Sequence, residues 1–208
     1  MLFNTIDFVI FFFLVVGIIT ILKYRRFQHI FIIFASVFFL YYTNNYLVVI
    51  LIFTILFHYY IGRQIYKADS KDGKKIFLIA GLAGSLGLLG FFKYADFAIA
   101  QFNIFGNIMD LGSEIPLLNL ALPVGISFYT FQSISYIIDI YRGNLTPSKT
   151  LREYAFFVAF FPTLVAGPIL RARQFLPQLR EKIEQSNTTG RLRQFVIQHS
   201  NLIHYYHF

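Results

Sequence analysis

Leu122 to Gly143 reads LPVGISFYTFQSISYIIDIYRG, and Phe160 to Arg171 reads FFPTLVAGPILR. Both stretches are apolar enough to enter a lipid bilayer. Yet the first carries Gln132, Asp139 and Arg142 at helical spacing, and the second places Gly167 between Pro162 and Pro168. Lipid offers such groups no partner, and an ionised side chain at the bilayer centre costs roughly 2.5 kcal/mol or more. Polar groups in this setting mark a functional-site hypothesis, and they predict helices that turn one side toward protein or a wet path.

Composition extends that reading to the whole chain. Of 208 residues, 57% are hydrophobic and 13% charged, with a mean hydropathy of +0.60; a soluble domain carries about 25% charged residues. The fold class expected is an all-α, polytopic integral membrane protein. The absence of cysteine excludes a disulfide framework, a thiolate metal site and a catalytic thiol. Tryptophan is absent too, so interfacial aromatic positions fall to Tyr41, Tyr42, Tyr59 and Tyr60. The net charge of +8 sits between apolar runs, where membrane topology accounts for it and nucleic acid is not needed.

The runs predict about five transmembrane helices: Phe8 to Leu22, Phe27 to Tyr42, Tyr46 to Ile61, Ile76 to Phe92 and Ile115 to Ile140. Lys23, Arg25 and Arg26 follow the first, with no cleavage site, so it reads as a signal anchor with its N-terminus outside. Gly62 to Lys75 reads as a cytoplasmic loop and Lys93 to Glu114 as an outer segment, with Ala95 to Met109 an amphipathic interfacial helix. A full crossing by Tyr154 to Leu170 would put Arg171, Arg173, Arg180 and Lys182 outside. Together with its two prolines, this predicts a re-entrant segment with both ends cytoplasmic.

On a 3.6-residue period Gly125, Tyr129, Gln132, Tyr136 and Asp139 share one side of the fifth run, flanked by Phe128, Ser135 and Arg142. Asp139 and Arg142, three apart, are placed to pair. Such a pair serves either to anchor the helix end at the interface or to line a ligand path. The glycines of GLAGSLGLLG (Gly81 to Gly90) read as helix-packing positions, on the faces Ala80, Gly84, Gly87 and Ala83, Gly87, Gly90. A phosphate loop is not indicated, since no Lys-Ser/Thr follows. His29 and His58 read as hydrogen-bonded packing residues. No metal site is expected: the His204/His207 pair lacks a third ligand nearby.

LPVGISFYTFQSISYIIDIYRG, followed by EYAFFVAFFPTLVAGPILRARQFLPQL (Glu153 to Leu179) and preceded by GFFKYADF (Gly90 to Phe97), closely resembles the membrane-bound O-acyltransferase (MBOAT) family. The likeness is greatest to the alginate O-acetyltransferase branch and covers roughly Met1 to Leu179. It implies a partial MBOAT fold in a bacterial inner (cell) membrane. It implies transfer of acetyl or acyl groups across that membrane to an exopolysaccharide such as alginate. It also implies an acyl donor, acetyl-CoA or an acyl carrier, and a polysaccharide acceptor reached through an extracytoplasmic acetyltransferase partner.

The resemblance further implies a catalytic His in a portion beyond this chain, so no residue here is assigned as catalyst and the chain alone is expected to be inactive. Residues 1–182 read as the N-terminal part of the acyltransferase domain, and 183–208 as a divergent polar tail, frameshifted or disordered. Candidate path-lining or structural residues are Gln132, Ser135, Asp139, Arg142, Pro162, Gly167, Pro168 and Arg171. The alternative reading is a non-catalytic membrane module that binds or passes an acyl carrier or polysaccharide.

Overall fold

A backbone in an apolar surrounding must satisfy its own polar groups, which favours helices, and helix ends fall where side chains or neighbouring elements supply the missing partners. The computed structural model describes residues 5–22, 25–109, 114–160, 163 and 170–184; among these, all regular structure is helical. Thr5 caps α1 (Ile6–Ile21), its hydroxyl accepting from the Phe8 amide. In α2 (Arg25–Asn44), Gln28 donates from Nε2 to the Ile19 and Leu22 carbonyls at 3.1 and 2.6 Å. It thereby serves acceptors that the end of α1 leaves open. A 3-10 turn at Asn45–Leu47 leads into α3 (Val48–Lys67). Ser70 then caps α4 (Lys71–Ile108) by accepting from the Gly73 amide.

Three expected boundaries are corrected. The loop from Gly62 to Lys75 shrinks to Ala68–Ser70, because α3 continues to Lys67 and α4 starts at Lys71. Lys67 in the last turn of α3 and Asp72 in the first turn of α4 suit the helix dipoles, so charges there do not end the helices. Second, α4 runs unbroken for 38 residues, so Ala95 to Met109 is not a separate interfacial helix. At 1.5 Å per residue α4 is about 57 Å long, against about 30 Å of hydrocarbon in a bilayer.

Third, Ile115 to Ile140 is not one helix: α5 is Ile126–Tyr141, and the residues from Glu114 to Leu122 carry no helix. Pro116 and Pro123 each remove a donor and bias the preceding residue toward extended backbone. Gly125 then adopts φ 83 to turn the chain into α5, a conformation glycine takes without strain. The non-helical stretch is held by side chains of α4. Asn103 donates to the Ile115 carbonyl and accepts from its amide at 2.8 and 2.9 Å. The two oxygens of Asp96 accept from the Leu118 and Leu120 amides at 2.7 and 3.3 Å. Asn107 donates to Glu114 at 3.4 Å. Positions 96, 103 and 107 lie on one face of a helix.

The core centres on α3, which packs against α4, α5 and α6 (Leu151–Ala159), while α2 packs on α6 and α1. The C-terminal halves of α3 and α5 meet the N-terminal third of α4 at one end of the bundle. A Cβ on Gly62 would meet Tyr136 Cε1 at 2.6 Å, and one on Gly81 would meet Ile137 Cδ1 at 2.7 Å. Nothing stands within 4 Å of a Cβ built on Gly87 or Gly90. The close approach of α4 therefore runs through Gly81 and Ser85, both buried, and not along the faces expected from Gly87 and Gly90. Gly84 does meet a neighbour, the Phe57 ring.

The last described helix is α7 (Ala172–Glu184). Phe175 packs on Phe156, Phe157 and Phe160 at ring-centroid distances of 6.1, 5.5 and 6.2 Å, and Arg180 pairs with Glu153 near the start of α6. So α7 runs antiparallel to α6 and brings the chain back to the end where α6 began. Between them, Pro162, Gly167 and Pro168 lie outside the described residues, as does 185–208 with its three tail histidines.

Candidate functional site

The polar face of α5 points inward. Tyr129, Gln132, Tyr136 and Asp139 are all buried, Gln132 at 2% exposure and Asp139 at 8%. Ser135 is half-buried and bonds its hydroxyl to the Gln132 carbonyl at 2.8 Å, so it is turned onto its own helix. Asp139 and Arg142 do not pair: among the described residues the ion pair is Arg180–Glu153. Arg142 is the exposed C-cap of α5, where Gly143 turns the chain at φ 76. Its side chain leaves the helix past the buried face, and spacing alone cannot bring it back. Arg171 is exposed; its carbonyl accepts from the Gln174 and Phe175 amides at 2.9 and 3.1 Å and starts α7. It sits nine residues before Arg180, about 14 Å along the axis, away from the end where Arg142 lies.

A clamp that the sequence reading did not single out closes that end of the bundle. Glu153, 7% exposed, receives Arg180 Nε on one oxygen and the Lys149 amide on the other at 2.8 Å. Arg180 also donates to Thr146 Oγ1 at 2.9 Å and to the Pro147 carbonyl at 3.0 Å. The Ser148 amide donates to the Tyr136 hydroxyl at 3.1 Å. Loop 143–150 is thereby tied to α5, α6 and α7 together. One half of the clamp had a readable signal: Thr150 and Glu153 stand three apart before an apolar run, and the Thr150 hydroxyl accepts from the Glu153 amide at 3.3 Å, as in a capping box. No local signal indicated Arg180.

Inward from the clamp, three tyrosines meet. Tyr154 packs on Tyr136 at 4.4 Å between ring centroids and on Tyr59 at 6.3 Å. Arg63 lies over Tyr59 and donates to its hydroxyl at 2.6 Å. The Ser133 hydroxyl lies beside that of Tyr154. His58 contacts the Thr54 carbonyl through Nδ1 at 2.9 Å and Ser85 Oγ through Nε2 at 2.6 Å. With both ring nitrogens engaged between α3 and α4, it is the hydrogen-bonded packing residue expected. His29 is buried against the Phe156 ring at 5.0 Å. The partners of His58 are a carbonyl and a hydroxyl, not a carboxylate. The arrangement is thus a buried, largely neutral polar seam with an ion pair at one end.

The chain is 34% identical to "Peptidoglycan O-acetyltransferase" of Helicobacter pylori over 89% of its length and 40% of the relative's. It is 42% identical to "Probable alginate O-acetylase AlgI" of Pseudomonas aeruginosa over 61% of this chain and 24% of that one. It is 38% identical to "Teichoic acid D-alanyltransferase" of Bacillus subtilis over 28% of this chain and 15% of that protein. No family model matches, and no solved structure does. The chain spans two fifths or less of the length of these relatives. Two helices, Asn45–Lys67 (taken with its 3-10 turn) and Lys71–Ile108, are long and apolar enough to cross a membrane, and shorter apolar helices accompany them. The chain is thus a homologue of part of the MBOAT-type O-acyltransferases.

Proposed function

We propose that these residues build part of the wall of a membrane O-acyltransferase that moves acetyl or acyl groups from the cytoplasmic side to a polysaccharide outside. The observation that carries this is the 34% identity to a peptidoglycan O-acetyltransferase over 89% of the chain. In this reading the chain crosses the bilayer about five times with its N-terminus outside. The clamp end, with Arg63, Lys67, Lys71, Arg142 and Lys149 around it, faces the cytoplasm, in keeping with the positive-inside tendency. The segment between α6 and α7 is re-entrant, which fits a nine-residue α6 of about 14 Å and the antiparallel return of α7. The donor is acetyl-CoA or an acyl carrier, and the acceptor is reached through an extracytoplasmic acetyltransferase partner.

The α5 face of Gln132 and its neighbours lines the polar side of the path, and packed aromatic walls keep water from the acyl group. The chemistry of hydroxyl activation needs a base within hydrogen-bond reach of the acceptor. His58 is committed to Thr54 and Ser85, which supports a reading in which the reacting base comes from a portion other than this bundle. Expressing the chain alone in an acetylation-deficient bacterium and measuring polymer-bound acetate tests this. The expected result is no acetate above background, and recovery on co-expression with the remaining portion of a relative. Acetylation by the chain alone would overturn the assignment of the chemistry elsewhere.

A further inference from the structure

Three polar atoms of α5 lie buried without a hydrogen-bond partner, Nε2 and Oε1 of Gln132 and the hydroxyl oxygen of Tyr129, and beside them the hydroxyls of Ser133 and Tyr154 have each other as their nearest partner across to α6. Their residues are 2%, 1%, 0% and 0% exposed, in that order. Tyr129, Gln132 and Ser133 fall within two turns of α5, and Tyr154 on α6 puts its hydroxyl beside that of Ser133. Buried side-chain polar atoms are nearly always paired, and leaving one stranded opposes folding where an apolar side chain of like shape would not. Two such side chains next to a hydroxyl pair at one helix junction are a cost to folding, and a ligand that completes their bonds supplies the compensation.

We propose that Tyr129, Gln132, Ser133 and Tyr154 form a binding site for a neutral group that both donates and accepts hydrogen bonds, a hydroxyl or a carboxamide. The carboxamide of Gln132 offers two donors and an acceptor, and the three hydroxyls adapt to either role. The ligand group is neutral because, among the described residues, no cation bonds to these side chains. Arg180 is taken up by Glu153, Thr146 and Pro147, while Arg142 and Arg171 are exposed. The proposal rests on the acyl-transfer reading for where such a ligand comes from, a sugar hydroxyl or the amide of a donor chain. Its test reads binding and stability alone, so failure to detect transfer leaves it standing.

The test is thermal unfolding of the 208-residue chain in detergent, for the wild type, Gln132→Leu and Ser133→Ala, each with and without cellobiose (hydroxyls only) or N-propylacetamide (amide only). Without a probe, both variants are expected to unfold at or above the wild-type midpoint, with Gln132→Leu higher by about 2–4 °C. One probe is expected to raise the wild-type midpoint by about 2 °C or more, and Gln132→Leu to lose that rise. A response to cellobiose assigns a hydroxyl source, and a response to N-propylacetamide an amide source. Midpoints of both variants below the wild type would show the groups to be paired in the folded chain and overturn the site. So would a wild type that responds to neither probe, or a rise that persists in Gln132→Leu.

Discussion

Glu153 shows how much one carboxylate holds in this bundle. It accepts from Arg180 and from the Lys149 amide, it stands in the first turn of α6, and it lies under the loop that also bonds Tyr136. Removing it strands a partly buried guanidinium, since Arg180 is only 18% exposed. Breaking such a pair costs about 2–3 kcal/mol, below the full buried-pair figure because Arg180 keeps its bonds to Thr146 and Pro147. Glu153→Ala is expected to lower the unfolding midpoint in detergent by about 5–10 °C. Glu153→Gln, which retains an acceptor for the Lys149 amide, is expected to lower it by less. Equal midpoints for Glu153→Ala and the wild type would mean that the clamp does not hold the loop. Asp139 contrasts with Glu153: it is buried to a similar degree but makes no ion pair among the described residues.

Helix against helix, the deciding contacts are made by glycines, and only by some of them. Gly62 on α3 and Gly81 on α4 both receive α5, through Tyr136 and Ile137. A side chain at Gly81 has Ile137 on one side and Ile61 at 3.1 Å on the other, so neither neighbour can move away freely. Gly81→Leu is expected to destabilise by about 1–3 kcal/mol through overpacking. Gly87→Ala meets open space and is expected to stabilise by about 0.5–1 kcal/mol, the ordinary preference for alanine in a helix interior. Comparing chemical or thermal unfolding of the two variants checks both signs; a neutral Gly81→Leu would place the α4–α5 contact elsewhere. The non-helical stretch before α5 follows the same logic in polar form. Its backbone groups would be unserved on an apolar helix, and Asp96 and Asn103 supply the partners.

Among the described residues the bundle exposes many large apolar side chains. Phe34, Phe38, Phe53, Phe91 and Phe97 are among its exposed side chains, as lipid-facing surfaces require. Among the described residues, Arg63, Lys67, Lys71, Arg142 and Lys149 lie toward the clamp end, where α3 ends, α4 begins and α5 ends. The antiparallel α6–α7 pair brings position 150 and the Arg180 region of α7 to that same end, if the segment between them turns back within the bilayer. The chain has no cysteine, so single cysteines report cleanly. Thr150→Cys and Gln178→Cys, both at exposed positions, are expected to react with a membrane-impermeant maleimide only when the cytoplasmic face is opened. Labelling of the two from opposite faces would establish a full crossing and refute the re-entrant path.

Helical class, the apolar runs and the inward polar face of α5 were legible in the sequence, because each depends on composition or on the period of a single helix. The 3.6-residue spacing of Tyr129, Gln132, Tyr136 and Asp139 needs no partner to be recognised. The uninterrupted course of α4, the glycines that meet α5, the docking of residues 114–120 on Asp96 and Asn103, and the Glu153–Arg180 pair were settled only in three dimensions. Each depends on how one element is rotated against another or on a partner 12 or more residues away, with 12 separating Asn103 from Ile115 and 27 separating Glu153 from Arg180. Periodicity along one helix shows which residues share a face; it holds no information on which neighbour that face will meet.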